Sequence, residues 1–258
     1  MDAILKKSTI REAIRAGEFG GWDDVRLGTL RAMRARGIQP QAIREVWREI
    51  GTNPVDIVFS WENLLAFNKQ AVNDSADRFF FCADPLRMDI RTEVPLRLRA
   101  PVHPDHPERG FREYGMEPAG GTVAVFVPSA ELPPSGPLRL KDLCNVELDG
   151  PGGSPERAGG PEAVEQGSTA DAPRAPRTAS YAGNDLSVLK RGVGILQAVP
   201  AAHAVLCSVM MPDGASVEGV AEDLVRRLAP PAVVQFERFG FVNVVRTAGR
   251  VVANFAHK

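Results

Sequence analysis

The sequence predicts an α+β protein, a short N-terminal helical region followed by antiparallel β-barrels. Three observations carry this reading. Up to about residue 75, apolar side chains recur at helical spacing, and Gly or Pro marks the ends of the periodic segments. From about Ala76 the pattern changes to short, often alternating runs separated by Pro and Gly, as in a barrel or sandwich. Between them in character stands 149–180, with six Gly, five Pro and almost no large apolar side chain. Such a segment cannot bury enough surface to offset chain entropy, so a flexible surface insertion between two strands is expected. The expected division is therefore 1–75, helical, and 76–258, β-barrel, with the insertion at about 149–180.

Bulk properties bound the function. At 258 residues and 44% hydrophobic the chain can fill one large core or two small ones. No run approaches the roughly eighteen apolar residues of a membrane span, and Met1 to Ser8 holds no secretory h-region. Cys82, Cys144 and Cys207 are far apart and lack metal-ligand spacing. They read as buried thiols of a reducing cytoplasm, and a cytoplasmic location is expected. A net charge of −1 excludes a bulk polyelectrolyte binder, so any nucleic-acid contact comes from a local patch. Residues 1–52 supply one, with ten Lys/Arg against seven Asp/Glu, most basic from Arg31 to Arg48.

Thr9 to Gly17 reads as a short amphipathic helix. Gly21 to Gly37 reads as a turn, a helix start and a basic helix: Asp23 and Asp24 suit the N-cap and first turn, Leu27, Leu30 and Met33 form an apolar stripe, Arg26, Arg31, Arg34 and Arg36 flank it, and Gly37 stops it. On periodicity alone this is a solvated surface helix. Gln39-Pro40 opens another helix, with Ala42, Ile43, Val46, Trp47 and Ile50 on its buried face and Arg44 and Arg48 one turn apart on another, suited to phosphate oxygens. A further short helix spans about Glu62 to Gln70, and Trp47 and Trp61 are expected in the core.

Strands are expected from Arg78 through Ala83, around Met88–Ile90, Val94–Arg99, Thr122–Val127, Leu138–Leu140 and Val205–Met211. Val220 to Leu228 reads as a helix or a compact loop, and Val233 to Phe241 alternates with a break at Gly240. His103 to Arg112 holds two His and two carboxylates, but its Pro residues force an extended loop and no distant second cluster completes a coordination shell, so no metal site is expected.

The run Gly21-Trp22-Asp23-Asp24, with Arg26, Thr29-Leu30-Arg31, Arg34 and Arg36-Gly37, closely resembles the segment after the KMSKS loop of glutamyl- and glutaminyl-tRNA synthetases, which are class I aminoacyl-tRNA synthetases. The likeness continues through Ile38, Pro40 and Ala42-Ile43-Arg44-Glu45 to Ser60-Trp61-Glu62-Asn63-Leu64, and Val25 stands where the family usually has Pro. Ile4-Leu5-Lys6-Lys7-Ser8 lies where the family carries KMSKS and keeps only the final Lys-Ser pair. His103-Pro104-Asp105-His106-Pro107-Glu108-Arg109-Gly110 resembles a segment of archaeal-type glutamyl enzymes. Leu138–Glu147 and Tyr181–Leu186 match the family's barrel, and Gln235-Phe236-Glu237-Arg238 resembles one of its strands. Ile195-Leu196-Gln197-Ala198-Val199 departs from the family's usual Ile-His-Trp-Val, which leaves the local packing open.

That resemblance implies a fold with a glutaminyl-tRNA-synthetase-like anticodon-binding region, and the C-terminal half of a glutamate-tRNA ligase that uses ATP with Mg2+. In its terms Lys7 is the catalytic lysine, and Lys6, Lys7 and Ser8 hold ATP phosphates, since positioned cations stabilise phosphoryl charge. Asp23, Asp24, Arg26, Arg34, Arg36, Arg44 and Arg48 meet the tRNA stem side, while Arg78, Gln235 and Arg238 read the anticodon. Splayed anticodon bases can be read on their edges by Arg and Gln, although Gln235 and Arg238 can equally be solvent-facing strand residues. None of His103, His106, His203 and His257 lies in a HIGH-type context, and no Gly-rich phosphate loop follows a strand near the start. The chain alone is therefore expected to bind the tRNA for glutamate without activating glutamate, with the N-terminal catalytic half as partner and no membrane. A glutaminyl enzyme fragment, a stand-alone tRNA-binding module without catalysis and a non-functional remnant are the alternatives.

Overall fold

The computed structural model describes residues 7–51, 59–150 and 174–258. Its helices are α1 (Lys7–Arg15), α2 (Leu30–Arg36), α3 (Pro40–Ile50) and α4 (Trp61–Asn73). The strands are β1 (Arg78–Phe79), β2 (Phe81–Ala83), β3 (Pro85–Arg91), β4 (Leu96–Pro101), β5 (Phe111–Met116), β6 (Thr122–Pro128), β7 (Gly136–Leu140) and β8 (Cys144–Leu148). They continue as β9 (Arg177–Tyr181), β10 (Gly194–Leu196), β11 (Val199–Pro200), β12 (Ala204–Met210), β13 (Ser216–Glu222), β14 (Ala232–Phe236), β15 (Gly240–Arg246) and β16 (Val251–His257). The chain forms two compact units. One gathers the described residues within 1–83, 100–112 and 204–258; the other gathers those within 84–99 and 113–203.

In the first unit a seven-stranded sheet runs β1-β14-β15-β16-β12-β13-β2. Only Phe80 separates β1 from β2, yet they stand at opposite ends of that order. The segment 78–83 thus pairs with β14 on one side and β13 on the other and closes the sheet into a barrel. Phe79, Phe81, Val205, Cys207, Val209, Phe236, Val242 and Val244 fill it, with Phe81 stacked on Phe236 at 4.9 Å. Gly219, opposite β2, has no room for a side chain: a Cβ there would lie 2.4 Å from the Cys82 carbonyl oxygen.

The second unit repeats the plan. Its sheet runs β10-β7-β8-β9-β3-β6-β11, and β10 and β11, separated by Gln197 and Ala198, pair with β7 and β6. From edge to edge both sheets show the same succession of pairings, parallel, antiparallel, antiparallel, parallel, antiparallel, antiparallel. Each barrel is therefore mixed rather than wholly antiparallel. In each barrel the two edge strands run in opposite directions, so the one segment that closes it runs parallel to one and antiparallel to the other. The closing segment comes first in sequence in one barrel and last in the other. In the 194–200 segment, where the family's His and Trp are missing, Leu196, Gln197, Ala198 and Val199 are buried while Ile195 is exposed.

Closure of the first barrel is locked by a buried ion pair. The Phe80 N–H donates to Glu222 Oε2 at 2.8 Å, and the Glu222 N–H donates back to the Phe80 carbonyl at 3.3 Å. Arg112 on β5, 2% exposed, donates to the same carboxylate and to Glu237 Oε1 at 3.1 Å, with its guanidinium 4.8 Å from the Phe80 ring centroid.

The helical segments differ from expectation at several points. Helix α2 starts at Leu30 and not at Asp23–Asp24. Gly28 interrupts the periodicity, and Thr29, in extended conformation, accepts from the Ala32 N–H and donates to the Trp22 carbonyl, as an N-cap should. Leu30 consequently leaves the apolar stripe and is 69% exposed. Trp47 likewise sits outside the core at 60% exposure, while Ala42 and Val46 face inward with Met33, Ile38 and Leu64. Gly37 ends α2 in the left-handed region at φ 88°, and a Cβ on it would meet Val233 Cγ2 at 2.9 Å. Val220 to Leu228 is neither helix nor plain loop but the end of β13 and a 3-10 turn over Asp223–Arg227.

Helix α2 is stitched to the first barrel at its C-terminal end. The Ala35 carbonyl, one of the four that a helix leaves unpaired, accepts from Asn243 Nδ2 at 3.0 Å and Asn254 Nδ2 at 2.9 Å. On α4, buried Asn68 accepts from the Gln39 N–H at 2.7 Å and contacts His257 Nε2 at 2.9 Å. Burial holds the His257 imidazole below its ordinary pKa, which keeps Nε2 an acceptor for that amide.

Arg112→Met leaves the Glu222 carboxylate buried without its cation and is expected to cost about 3–5 kcal/mol in urea unfolding. Arg112→Met with Glu222→Leu should recover most of that loss. A single variant as stable as the parent would show that the pair does not lock the barrel.

Candidate nucleic-acid interface

The residues expected on the tRNA stem side fall into three groups. Asp23, Asp24 and Arg26 line one open cleft of about 700 Å³ between the 20–26 loop and the β12–β13 turn, together with Met210, Gly214 and Asn254. The loop is a self-contained knot. Asp24 Oδ2 accepts from the Gly20 N–H at 3.0 Å, and Oδ1 accepts from the Arg26 N–H at 3.1 Å and from its Nε at 2.8 Å. Arg26 Nη2 donates to Asp24 at 2.6 Å and to the Glu18 carbonyl at 2.7 Å, and the guanidinium stands 4.6 Å from the Phe19 ring centroid. The Arg26 hydrogen bonds and the Gly20 N–H hold the Asp24 carboxyl down at about 2. Asp24 therefore organises the loop, and exposed Asp23 is the carboxylate turned to solvent.

Arg34, Arg44 and Arg48 are the exposed cations. Arg34 borders a groove of about 480 Å³ between α2, the start of α3 and the β14–β15 hairpin. Arg44 and Arg48 project from α3, and Arg48 pairs with Glu45 at 2.6 Å while its side chain stays largely in water. Pairs so exposed contribute little to stability, so both cations remain available to phosphate oxygens.

Arg36 and Arg78 are placed otherwise than a surface contact requires. Arg36 is 1% exposed; its Nε donates to the Phe255 carbonyl at 3.2 Å and its Nη2 to the Ala256 carbonyl at 2.7 Å. Burial lowers its pKa to about 10. It fastens α2 to β16. Arg78 is 5% exposed and donates to the Ala76 carbonyl at 2.8 Å and to Asn73 Oδ1 at 3.0 Å, with its guanidinium 5.6 Å from the Phe241 ring centroid. Its residue pairs in register with Gln235 on the neighbouring strand.

Gln235 and Arg238 lie at the end of β14 and in the turn that follows. Val234 and Phe236 point into the core, so the strand's alternation turns half-buried Gln235 outward. Arg238 is exposed and occupies the left-handed region at φ 62°, in a turn closed by Phe239 N–H donating to the Phe236 carbonyl at 3.0 Å. A non-glycine residue held there costs of order 1–3 kcal/mol; Asp84 and Asp142 are held there as well.

Lys7 and Ser8 are exposed in the first turn of α1, and Lys6 lies outside the described residues. The His103–Arg112 loop is occupied with α4. His103 Nε2 donates to the Asn73 carbonyl at 2.8 Å while its Nδ1 accepts from the Asp105 N–H at 3.1 Å. Arg109 donates to the Asp74 carbonyl at 2.9 Å, the Ser75 carbonyl at 3.1 Å and Asp77 Oδ1 at 3.1 Å. These donors satisfy the carbonyls that a helix C-terminus leaves open. Sequence reasoning missed Arg112, Glu222, Asn68 and His257 as structural polar groups. The signal for Arg112 was its parity, since it shares the inward face of β5 with Tyr114 and Met116.

Residues 76–157 match the family model described as tRNA synthetases class I (E and Q), anti-codon binding domain. Over 99% of its length the chain is 39% identical to the glutamate–tRNA ligase of Methanospirillum hungatei and covers 41% of that protein. It is 36% identical to the glutamate–tRNA ligase of Pyrococcus furiosus over 99% of its length and 37% identical to that of Methanothermobacter thermautotrophicus over all of it, covering 41% of each. The chain thus spans about two fifths of the length of these curated relatives. No helix among the described residues is long and apolar enough to cross a membrane.

Asp24→Asn is expected to cost about 1–2 kcal/mol at pH 7, after allowance for the half-open position of the Arg26 partner. Because the folded pKa lies below the unfolded one, this stabilisation is complete above about pH 4 and fades as pH falls towards 2. Urea midpoints at pH 7 and pH 3 check it: the gap between parent and variant is full at pH 7 and falls to about half at pH 3. Equal midpoints at pH 7 would remove the carboxylate from its organising role.

Proposed function

We propose that this chain, which carries the class I (E and Q) anticodon-binding domain and two fifths of an archaeal-type glutamate–tRNA ligase, is the C-terminal tRNA-binding part of such an enzyme. In complete form the enzyme joins glutamate to its tRNA using ATP. The observation that carries the reading is the β14–β15 turn, where a closed barrel presents Gln235 outward beside Arg238 in a strained backbone conformation. Those two side chains read anticodon bases on their edges, and Arg78 acts behind them as a positioning residue on the paired strand. Arg34, Arg44 and Arg48 meet phosphates on the stem side, with Arg26 and Asp23 at the adjoining cleft. Arg36 serves the same surface from beneath, by fixing α2. The division into a helical stem-contact region, 1–75, and an anticodon region, 76–258, follows these roles.

ATP belongs to the complete enzyme. Lys7 and Ser8 stand at the N-terminal turn of α1, where backbone N–H groups favour an anion. They offer two of the groups that a phosphate needs, with Lys6 as the third in the family's pattern. Glutamate activation is assigned to the rest of the ligase, in the cytoplasm.

The test is Arg238→Gly. Affinity for glutamate tRNA should fall by about 1–3 kcal/mol, or roughly 5- to 150-fold, with blurred anticodon preference. The melting temperature should hold or rise, because glycine tolerates the left-handed backbone. Undiminished affinity, or a loss matched by a fall in melting temperature, would contradict the assignment.

A further inference from the structure

A second surface of the first unit borders the cations assigned to tRNA above, but its apolar floor has no part in that reading. Between α2 and α3 lies a groove of about 280 Å³ lined by Leu30, Met33, Ile43, Val46, Trp47 and Phe59. Leu30 is 69% and Trp47 60% exposed, the two largest exposures among the described big apolar side chains of the unit. The lining offers almost nothing but hydrocarbon. Among the described lining residues the Trp47 indole N–H is the one side-chain donor and the Met33 sulfur a weak acceptor. Arg31 and Arg44 are exposed nearby, and the Arg48–Glu45 pair adds a polar rim. An apolar centre with a charged rim is the anatomy of a protein interface, and exposed apolar clusters of this kind mark partner sites. RNA fits it poorly, since a duplex presents phosphates and 2′-hydroxyls that an apolar floor cannot satisfy.

The occupant follows from the length of the relatives. The Methanospirillum hungatei ligase carries about three fifths of its polypeptide beyond the part this chain matches. Domains joined in one chain ordinarily share an interface of about 600–1,500 Å². Helix α1 covers one flank of α2, with Ile10 clustered with Leu27 and Ala32, while among the described residues the flank carrying Leu30 stays exposed and open to that polypeptide. We propose that the Leu30–Trp47 groove is the docking surface for the remaining three fifths of a glutamate–tRNA ligase, which seats an apolar side chain between Leu30 and Trp47. This rests on the proposed function, and it goes further by naming the surface at which the parts meet.

The experiment compares the isolated chain with a hybrid in which this chain replaces the matching two fifths of the Methanospirillum hungatei ligase. Photochemical carbene labelling, read by mass spectrometry, reports solvent access at Leu30 and Trp47. In the hybrid without tRNA, labelling of both should fall at least about fivefold, because an interface core excludes water. Equal labelling in chain and hybrid overturns the proposal. Loss of labelling only when glutamate tRNA is added makes the groove an RNA surface, and loss in the isolated chain that grows with concentration makes it a self-association surface; both overturn it. Charging of glutamate tRNA by the hybrid is measured alongside. A protected but inactive hybrid contradicts the proposed function and leaves the docking surface standing, whereas an active, unprotected hybrid overturns the docking surface alone. A second measurement uses Trp47→Glu, which should leave the melting temperature of the isolated chain unchanged and lower that of the hybrid. An unchanged hybrid would overturn the proposal on its own.

Discussion

Everything in the first unit depends on how its barrel closes. A sheet with open edges presents unpaired N–H and C=O groups, and closure abolishes them. Here one short segment must serve both edges, and at Phe80 it changes partner from β14 to β13. At such a switch the ladder is interrupted, and Glu222 fills the gap with a side chain that accepts the Phe80 N–H. The carboxylate is fully buried, so it is tolerable only because Arg112 stands against it. Arg112 in turn arrives on the strand that follows the His103–Arg109 loop, and that loop caps α4. Barrel closure, the loop and the helix end are one connected arrangement.

The proposed tRNA surface is positioned by the same connections. Arg78, Gln235 and the Arg238 turn are the strand that closes the barrel, its partner and the turn after it. The stem-side cations ride on α2 and α3, which the barrel holds through Ala35, Arg36 and the Asn68–His257 contact. Two of the arginines that resemble tRNA contacts thus act from inside. Arg36 and Arg78 give their guanidinium groups to backbone carbonyls, and the side chains they place are the ones that face solvent.

Much of this was legible in the sequence. Alternation and short apolar runs located about half of the barrel strands, β1, β2, β3, β6, β7, β12 and β14, because each has one face in a core, and Gly37 marked the end of α2 because its backbone is left-handed. The start of α2 was misplaced because Asp24 is as good a cap by composition as Thr29, and only the tertiary arrangement shows that Arg26 and Gly20 have taken its carboxylate. Trp47 was misplaced because helical periodicity identifies an apolar face without saying which element of the same chain covers it. The parallel pairs of each barrel were invisible, since strand direction depends on connections that no local pattern records. Of the site, the exposed positions were readable from motif wording; the burial of Arg36 and Arg78 was not, because an arginine looks the same in sequence whether it faces phosphate or a carbonyl.

The central claim is that the barrel turn at Gln235 and Arg238 reads anticodon bases. It is tested most directly by titrating the purified chain, near physiological salt, with glutamate tRNA and with the same tRNA carrying a substituted anticodon, since low salt would let the basic helices mask the difference. The account predicts that the substituted tRNA binds more weakly, by about 1–3 kcal/mol for each base that the two side chains no longer recognise. Equal affinity for the two would contradict it.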